Sequence, residues 1–327
     1  MSGRRVLVTG AGGFIGRWSV PALRRRGFDV HAVLSPRTPR AVPAQLAGVN
    51  MHAADLLEAT AIDALIATVQ PTHLLHFAWV ATPGIYRHSE ANHRWLEAGR
   101  HLLRGFLAHG GMRAVMAGSC AEYSWSGAGV CVEGSSPLAD AAPGIPDAYV
   151  ACKIAMQRSL QCVSRPQGVS SAWGRIFFQY GPAEHPERLV PSVIRHLLSN
   201  RQAPCSHGRQ IRSFLHAEDV GGAFAALLDS GLQGPVNIGS ERRITVAQMV
   251  ELIAAQIGRP DLVRLGARTA AVGEPELLVP DIHRLRDELG WTPRFSLEEG
   301  LADTIAWWRR ELRGSSINPD ANHRPGL

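Results

Sequence analysis

Lysine is nearly missing from this chain of 327 residues: of 34 basic residues, 33 are arginine and one, Lys153, is lysine. The arginines are scattered rather than gathered into a stripe, so the net charge of +6 leaves only a weak footprint for nucleic acid, and no nucleic-acid partner is expected. Cysteine is scarce. The five present (Cys120, Cys131, Cys152, Cys162 and Cys205) are an odd number with no Cys-x-x-Cys pair, which argues against a disulfide framework and a zinc site; reduced thiols and no metal are expected. Charged residues make up 19%, against about 25% in ordinary globular chains, with 45% hydrophobic residues, so neither disorder nor a coiled coil describes the bulk of the chain. No run approaches the roughly 18 apolar residues of a membrane helix, and the first residues read as a strand rather than a signal peptide. These absences predict a cytoplasmic protein with no membrane partner. The length suits one large α/β domain, or a domain plus a lobe, with a core that needs no staples.

What is present is an alternation. Residues 4–9 read as a short buried strand, followed by a glycine-rich turn and an apolar-periodic helix from Phe14 to Arg26, which stops at Gly27. Strands are predicted at 29–34, 49–53, 72–77, 113–117 and 169–178, with helices at 58–69, 89–109 and 148–163 between them. This rhythm predicts a Rossmann-type, doubly wound parallel sheet over residues 1–180. Beyond Gly181 it breaks. Residues 181–313 are predicted to form mainly a smaller C-terminal substrate-binding lobe, with hairpin-like strands near 210–216 and a segment at about 215–240 returning to the main sheet. Residues 314–327, polar and rich in Pro and Gly, are expected to be a disordered tail.

Two motifs carry chemistry. In Thr9-Gly10-Ala11-Gly12-Gly13-Phe14-Ile15-Gly16, Gly10 permits a tight turn, Gly13 a close backbone approach to a pyrophosphate, and Gly16 close packing of helix on strand. Coming after a strand and opening a helix, the turn predicts dinucleotide binding by Gly10, Gly13, Phe14, Ile15 and Gly16. Coenzyme choice is read at the end of the second strand. There Ser35, Arg37 and Arg40 stand where a carboxylate would bind a ribose 2′-hydroxyl, so NADP is expected ahead of NAD. The second motif is Tyr149-Val150-Ala151-Cys152-Lys153. On a helix, i and i+4 share a face, so the ammonium can favour the ionised phenol and make Tyr149 an acid/base for a carbonyl/alcohol pair. The lone lysine of an arginine-rich chain falls at this position, and arginine does not substitute for a compact ammonium.

With these motifs the chain resembles the extended short-chain dehydrogenase/reductase superfamily, in its branch of NAD(P)-dependent nucleotide-sugar epimerases, dehydratases and 4-ketoreductases, over about residues 4–312. The resemblance extends to Asp55-Leu56, similar to the adenine-contacting pair, and to His76-Phe77-Ala78, similar to the cofactor-lining segment with Phe77 and Ala78 in contact. It also takes in Arg175 to Pro182, Arg212 to Asp219, Asn237 to Ser240 and Trp307-Trp308. It implies that Ser119 is the catalytic hydroxyl residue, that Tyr149 is the acid/base, and that Lys153 holds the nicotinamide ribose. It also implies a homodimer through the helices at 89–109 and 148–163.

Dehydratases of the branch carry an acidic residue just after the catalytic hydroxyl residue, where this chain has Cys120 and Ala121; Glu122, one position later, would face the opposite way on an extended segment. The resemblance therefore implies an NADPH-dependent reductase of a 4-keto (deoxy)hexose carried on a nucleotide diphosphate. The alternatives are a nucleotide-sugar 4-epimerase with tightly held NAD(P) and, from another class, a non-catalytic NADP-sensing regulator. For the substrate, the segment from Trp79 to His88 is expected to line the sugar pocket with Ser119, Cys120 and Phe178, and Arg188, Arg212 and Arg268 to supply charge to the diphosphate. The chain departs from the family pattern with Phe178 where Asn is usual, Ser213 where Asp is usual, and Ala271-Val272-Gly273-Glu274 where an arginine clamp is usual.

Overall fold

The computed structural model describes residues 3–37, 41–125, 129–139, 147–270 and 273–317. In chain order its elements begin with β1 (Arg5–Thr9), α1 (Gly16–Arg25), β2 (Asp29–Leu34), β3 (Asn50–Ala53), α2 (Ala59–Val69), β4 (His73–His76), α3 (Ala91–Ala108) and β5 (Arg113–Ser119). They continue with β6 (Val130–Cys131), α4 (Ala148–Ser164), β7 (Ser170–Ile176), β8 (Phe178–Tyr180), α5 (Leu189–Leu198), β9 (Ala203–Pro204), β10 (Ile211–His216) and α6 (Ala217–Leu228). Last come β11 (Gly234–Ile238), β12 (Arg243–Thr245), α7 (Val246–Ile257), β13 (Val263–Arg264), β14 (Leu277–Pro280) and α8 (Leu297–Ile317).

Seven strands form one parallel sheet in the order β11-β7-β5-β4-β1-β2-β3. The sheet is covered on both faces, so its strands are apolar on both. Along β1, Val6 and Val8 face a core shared with Val20 and Leu23 of α1 and Phe224 of α6, while Leu7 faces one shared with Ile62 of α2, Phe106 of α3 and Met156 of α4. The strand order reverses between β1 and β4, and ligands of open α/β sheets bind outside the carboxyl ends of the strands at such a point. The glycine turn after β1, the Phe77–Trp79 segment after β4 and Ser119 at the end of β5 all stand there.

The lobe is built on a second sheet, β12-β10-β14-β6, with β8 also paired to β10. The segment at 210–216 is not a hairpin. It is one strand, β10, antiparallel to β12 and parallel to β14 and β8, because its partners come from distant parts of the chain. Likewise the strand expected at 169–178 is two strands: Phe177 closes the main sheet by donating its N–H to the Ile238 carbonyl (3.0 Å), and the chain then joins β10. Helices α5, α7 and α8 cover the lobe sheet with Val190, Ile194, Met249, Ile253, Leu301 and Trp308. Strand β11 lies in the main sheet beside β7, and α6 packs on α1. Helix α8 runs to Ile317, past the Gly314 where a tail was expected; residues 318–327 lie outside the described residues. No helix among the described residues is long and apolar enough to cross a membrane.

Candidate active site

At the turn after β1, Gly10 has φ +67°, and a Cβ there would stand 2.8 Å from the Ala78 backbone nitrogen. A Cβ on Gly16 would collide with the Gly10 carbonyl. Only glycine lets strand, turn and helix close this tightly against the Phe77-Ala78 segment, and the cradle they form fits a dinucleotide at a helix N-terminus. At the end of β2 the Ser35 hydroxyl accepts the Arg37 N–H (3.2 Å), and the Arg37 guanidinium is paired with Asp55 and with Glu58 (3.0 Å). Arg37 and Asp55, each expected to touch coenzyme, thus touch one another on the surface, next to the buried Leu56. Arg40 lies outside the described residues. Below the turn His76 is buried with Nδ1 2.7 Å from the Thr9 hydroxyl, and burial, assisted by the Lys153 charge, pushes its pKa down to about 3.

The structure brings Ser119, Tyr149 and Lys153 together. Asp147 caps α4 by accepting the Val150 N–H (2.9 Å), and i,i+4 spacing then sets Tyr149 and Lys153 on one face. The Ser119 hydroxyl shares a hydrogen bond with the Tyr149 phenol. The Lys153 ammonium lies 5.8 Å from the centre of the Tyr149 ring, donates to the Ala117 carbonyl (2.9 Å) and sits 4.0 Å over the Trp79 ring.

One expectation is corrected here. Tyr149 is not shifted towards the phenolate: burial raises its pKa well above the ordinary tyrosine value, with the Ser119 hydrogen bond opposing, because Lys153 faces Ala117 and Trp79 rather than the phenol oxygen. At neutral pH Tyr149 is therefore a proton donor. Burial also brings Lys153 down to about 7, with the Glu122 carboxylate acting the other way.

The segment after Ser119 is a 3₁₀ turn (Cys120–Glu122) rather than an extended stretch, and its capping box folds the Glu122 side chain back beneath Ser119, away from the cleft. Glu122 is 0% exposed and accepts from the Ser119 backbone N–H (2.8 Å), Trp173 Nε1 (2.9 Å) and Arg175 Nε (2.8 Å). Arg175 continues to the Tyr123 hydroxyl (3.1 Å) and Gln157 (2.8 Å), and Tyr123 donates to Asn237 (2.8 Å). This network holds Ser119 from below and commits the carboxylate nearest to it. Cys120 is buried, and its thiol is pushed up to about 12, burial being the main cause.

Among the residues expected to bind substrate, Phe178 packs on the cluster around Cys120, and the Arg212 charge acts on the Cys120 thiol. Trp79 lies against Lys153; the Arg188 guanidinium lies 5.6 Å over the Tyr86 ring, which meets the Tyr149 ring edge-on at 4.8 Å. Phe178 packs under the Arg212 guanidinium at 5.1 Å. Arg212 itself is a correction. It is 1% exposed and donates to the carbonyls of Ile211 (2.8 Å), Pro275 (2.9 Å) and Glu276 (3.4 Å) and to the Glu274 carboxylate (2.8 Å), so its hydrogen-bonding capacity goes to the lobe's framework. Arg268 is exposed; its backbone N–H donates to the Cys205 carbonyl (3.0 Å), and no contact joins it to the Tyr149 group among the described residues. Sequence reading missed Asn92, Asp147 and Trp173, whereas Tyr86 falls in the segment from Trp79 to His88 expected at the sugar pocket. Asp147 had a signal, an Asp just before a helical stretch; Trp173 had none because its partner Glu122 lies 51 residues away, and Asn92 had none because a helical stretch does not mark which of its polar residues turns inward.

The family model described as the NAD dependent epimerase/dehydratase family matches residues 6–239. UDP-glucuronic acid decarboxylase 1 of Xenopus tropicalis is 26% identical over 320 residues, 96% of this chain and 74% of that protein. A dTDP-4-dehydro-6-deoxy-D-allose reductase from a Streptomyces species is 25% identical over 340 residues, 95% of this chain and 98% of that protein. Among solved structures, a dTDP-glucose 4,6-dehydratase from Streptomyces venezuelae with NAD bound superposes with a TM-score of 0.81 at 25% identity, covering 95% of this chain and 98% of that one. Three different activities on one scaffold leave the particular reaction to the site. The chain, with its glycine cradle and its Ser119, Tyr149 and Lys153 in one cleft, belongs to the NAD dependent epimerase/dehydratase family of the extended short-chain dehydrogenase/reductase superfamily, whose members are sugar-nucleotide enzymes.

Proposed function

We propose that this enzyme is an NADPH-dependent reductase of a 4-keto (deoxy)hexose in a nucleotide-diphosphate sugar, working as a cytoplasmic homodimer. The observation that carries the reading is the lack, among the described residues, of a free carboxylate beside Ser119: Cys120 is a buried thiol, and Glu122 is sequestered with Trp173 and Arg175. Loss of water from a sugar needs groups that move protons from carbon and to a leaving hydroxyl, whereas carbonyl reduction needs a single proton donor. When bound, the nicotinamide supplies the hydride. Ser119 donates a hydrogen bond to the ketone oxygen as it gains charge, and Tyr149, protonated at neutral pH, gives that oxygen its proton. Lys153 holds the ribose, Gly10 to Gly16 the pyrophosphate, and Ser35, Arg37 and Arg40 the 2′-phosphate. Trp79, Phe178 and Arg188 line the sugar end.

The pairing of Arg37 with Asp55 and Glu58 favours a second reading, a 4-epimerase that retains NAD. Stoichiometric consumption of NADPH by protein purified without coenzyme supports the reductase; tightly bound coenzyme with no net turnover supports the epimerase. In the decisive experiment Tyr149→Phe lowers turnover by about 10²- to 10⁴-fold with coenzyme affinity little changed. A variant keeping more than about a third of the wild-type rate would place the proton elsewhere.

A further inference from the structure

We infer that Trp79 and Asn92 form a positioning pair that holds the Lys153 ammonium in place and in its charged form. Building on the role given to Lys153 under the proposed function, the inference starts from Asn92, which is 0% exposed with every hydrogen bond of its side chain internal. Its Oδ1 accepts the Trp79 indole N–H (2.9 Å), and its Nδ2 donates to the carbonyls of Tyr86 (2.6 Å) and Ser89 (2.8 Å). One amide on α3 therefore fixes the plane of the Trp79 ring and the backbone that carries Tyr86. Each ring leans on a member of the reacting pair. Trp79 presents its face to the Lys153 ammonium at 4.0 Å, and Tyr86 meets Tyr149 at 4.8 Å and 88°.

Why Lys153 needs such a partner follows from its surroundings. The side chain is buried, with a 4% exposed residue, and burial penalises its charge. The titratable groups facing it are Glu122 from the turn after β5, His76 from β4 and Tyr149 from its own helix. Glu122 is already shared by Ser119, Trp173 and Arg175, and neutral His76 offers no charge. The Ala117 carbonyl supplies one hydrogen bond, and the second Trp ring, Trp173, is farther off at 6.0 Å. The Trp79 face is the nearest electron-rich surface left, and an indole is the strongest of the aromatic partners for a desolvated cation.

Because Lys153 is the only lysine, the full chain grown on lysine labelled with ¹³C at Cε gives one lysine side-chain resonance, whose shift with pH reads this ammonium directly without coenzyme or substrate. The titration midpoint should fall in the order wild type, Trp79→Phe, Trp79→Leu, with the proton held roughly three- to tenfold less tightly in Trp79→Leu. Asn92→Leu, which releases the ring, should also lower the midpoint and add nothing further in a Trp79→Leu background. A midpoint that stays or rises in Trp79→Leu would overturn the assignment and make the indole a mere water-excluding wall. Full additivity of the two substitutions would remove Asn92 from it. Trp79→Phe, the mildest change, keeps the test intact where Asn92→Leu folds poorly. Since the readout involves no turnover, a negative result leaves the reductase reading standing, and an inactive keto-sugar leaves this inference standing.

Discussion

Among the described residues, Arg175 beneath Ser119 and Arg212 in the lobe are both buried and each is paired with a glutamate. In the first, Glu122 and Arg175 have side chains 0% and 3% exposed; in the second, Arg212 is equally enclosed while Glu274 is 30% exposed. Glu122 is ringed by donors from two adjacent strands, Ser119 of β5 and Trp173 and Arg175 of β7, so its charge is fully committed and it orients the backbone N–H of Ser119. Arg212 leans on main-chain carbonyls of the β10 and β14 region, with a carboxylate at the rim. Both arginines come from segments that resemble family motifs. What each does is decided by the acceptors that surround it.

That contrast can be broken by substitution. Glu122→Ala strands the Arg175 charge in the interior and should cost about 3–5 kcal/mol of stability, the usual penalty for removing one partner of a buried pair. Glu274→Ala leaves Arg212 with its carbonyl partners and should cost about 1–2 kcal/mol. Equal losses in urea unfolding would erase the distinction between an enclosed and a rim carboxylate.

Enclosure also sets a pH dependence. His76 has a folded pKa of about 3 against 6.5 unfolded, so below pH 6.5 the unfolded chain binds more protons than the folded one. Its contribution is complete above pH 6.5 and declines as pH falls towards 3; between neutrality and pH 5 it should remove about 2 kcal/mol. His76→Gln should flatten the dependence of the melting temperature over that interval, and an unchanged slope would assign the loss to other groups. The smallest effect belongs to an exposed cluster of ion pairs, Arg37 with Asp55 and Glu58. Under the NADPH reading, Arg37→Ala should weaken NADPH about tenfold, roughly 1.4 kcal/mol, while leaving NADH binding within about twofold. Equal weakening of both coenzymes in titrations would favour NAD.

The parts of this architecture legible in sequence were those the backbone enforces. Gly10 and Gly16 sit where any Cβ would strike the main chain, and Tyr149 and Lys153 need only a helix to share a face. Periodicity located the strands of the main sheet for the same local reason. Arg212 was misread because a guanidinium looks the same in sequence whether it meets a phosphate or three carbonyls. The lowered tyrosine pKa expected from Lys153 failed because helix spacing says nothing of Ala117 and Trp79, which draw the ammonium aside. Strand β10 was placed but not partnered, since β12, β14 and β8 reach it from distant stretches of chain.

The crossing at Phe177 constrains how the cleft can work. Ile176 is paired with Ser119 in the main sheet, and Phe178 is paired with Phe214 in the lobe sheet, so one residue separates the two hydrogen-bonded frames. A tether so short transmits torsion and allows almost no sliding. The same closeness recurs where β10 passes at His216 straight into α6, which packs on α1, so the lobe sheet is anchored to the main sheet at two points rather than one.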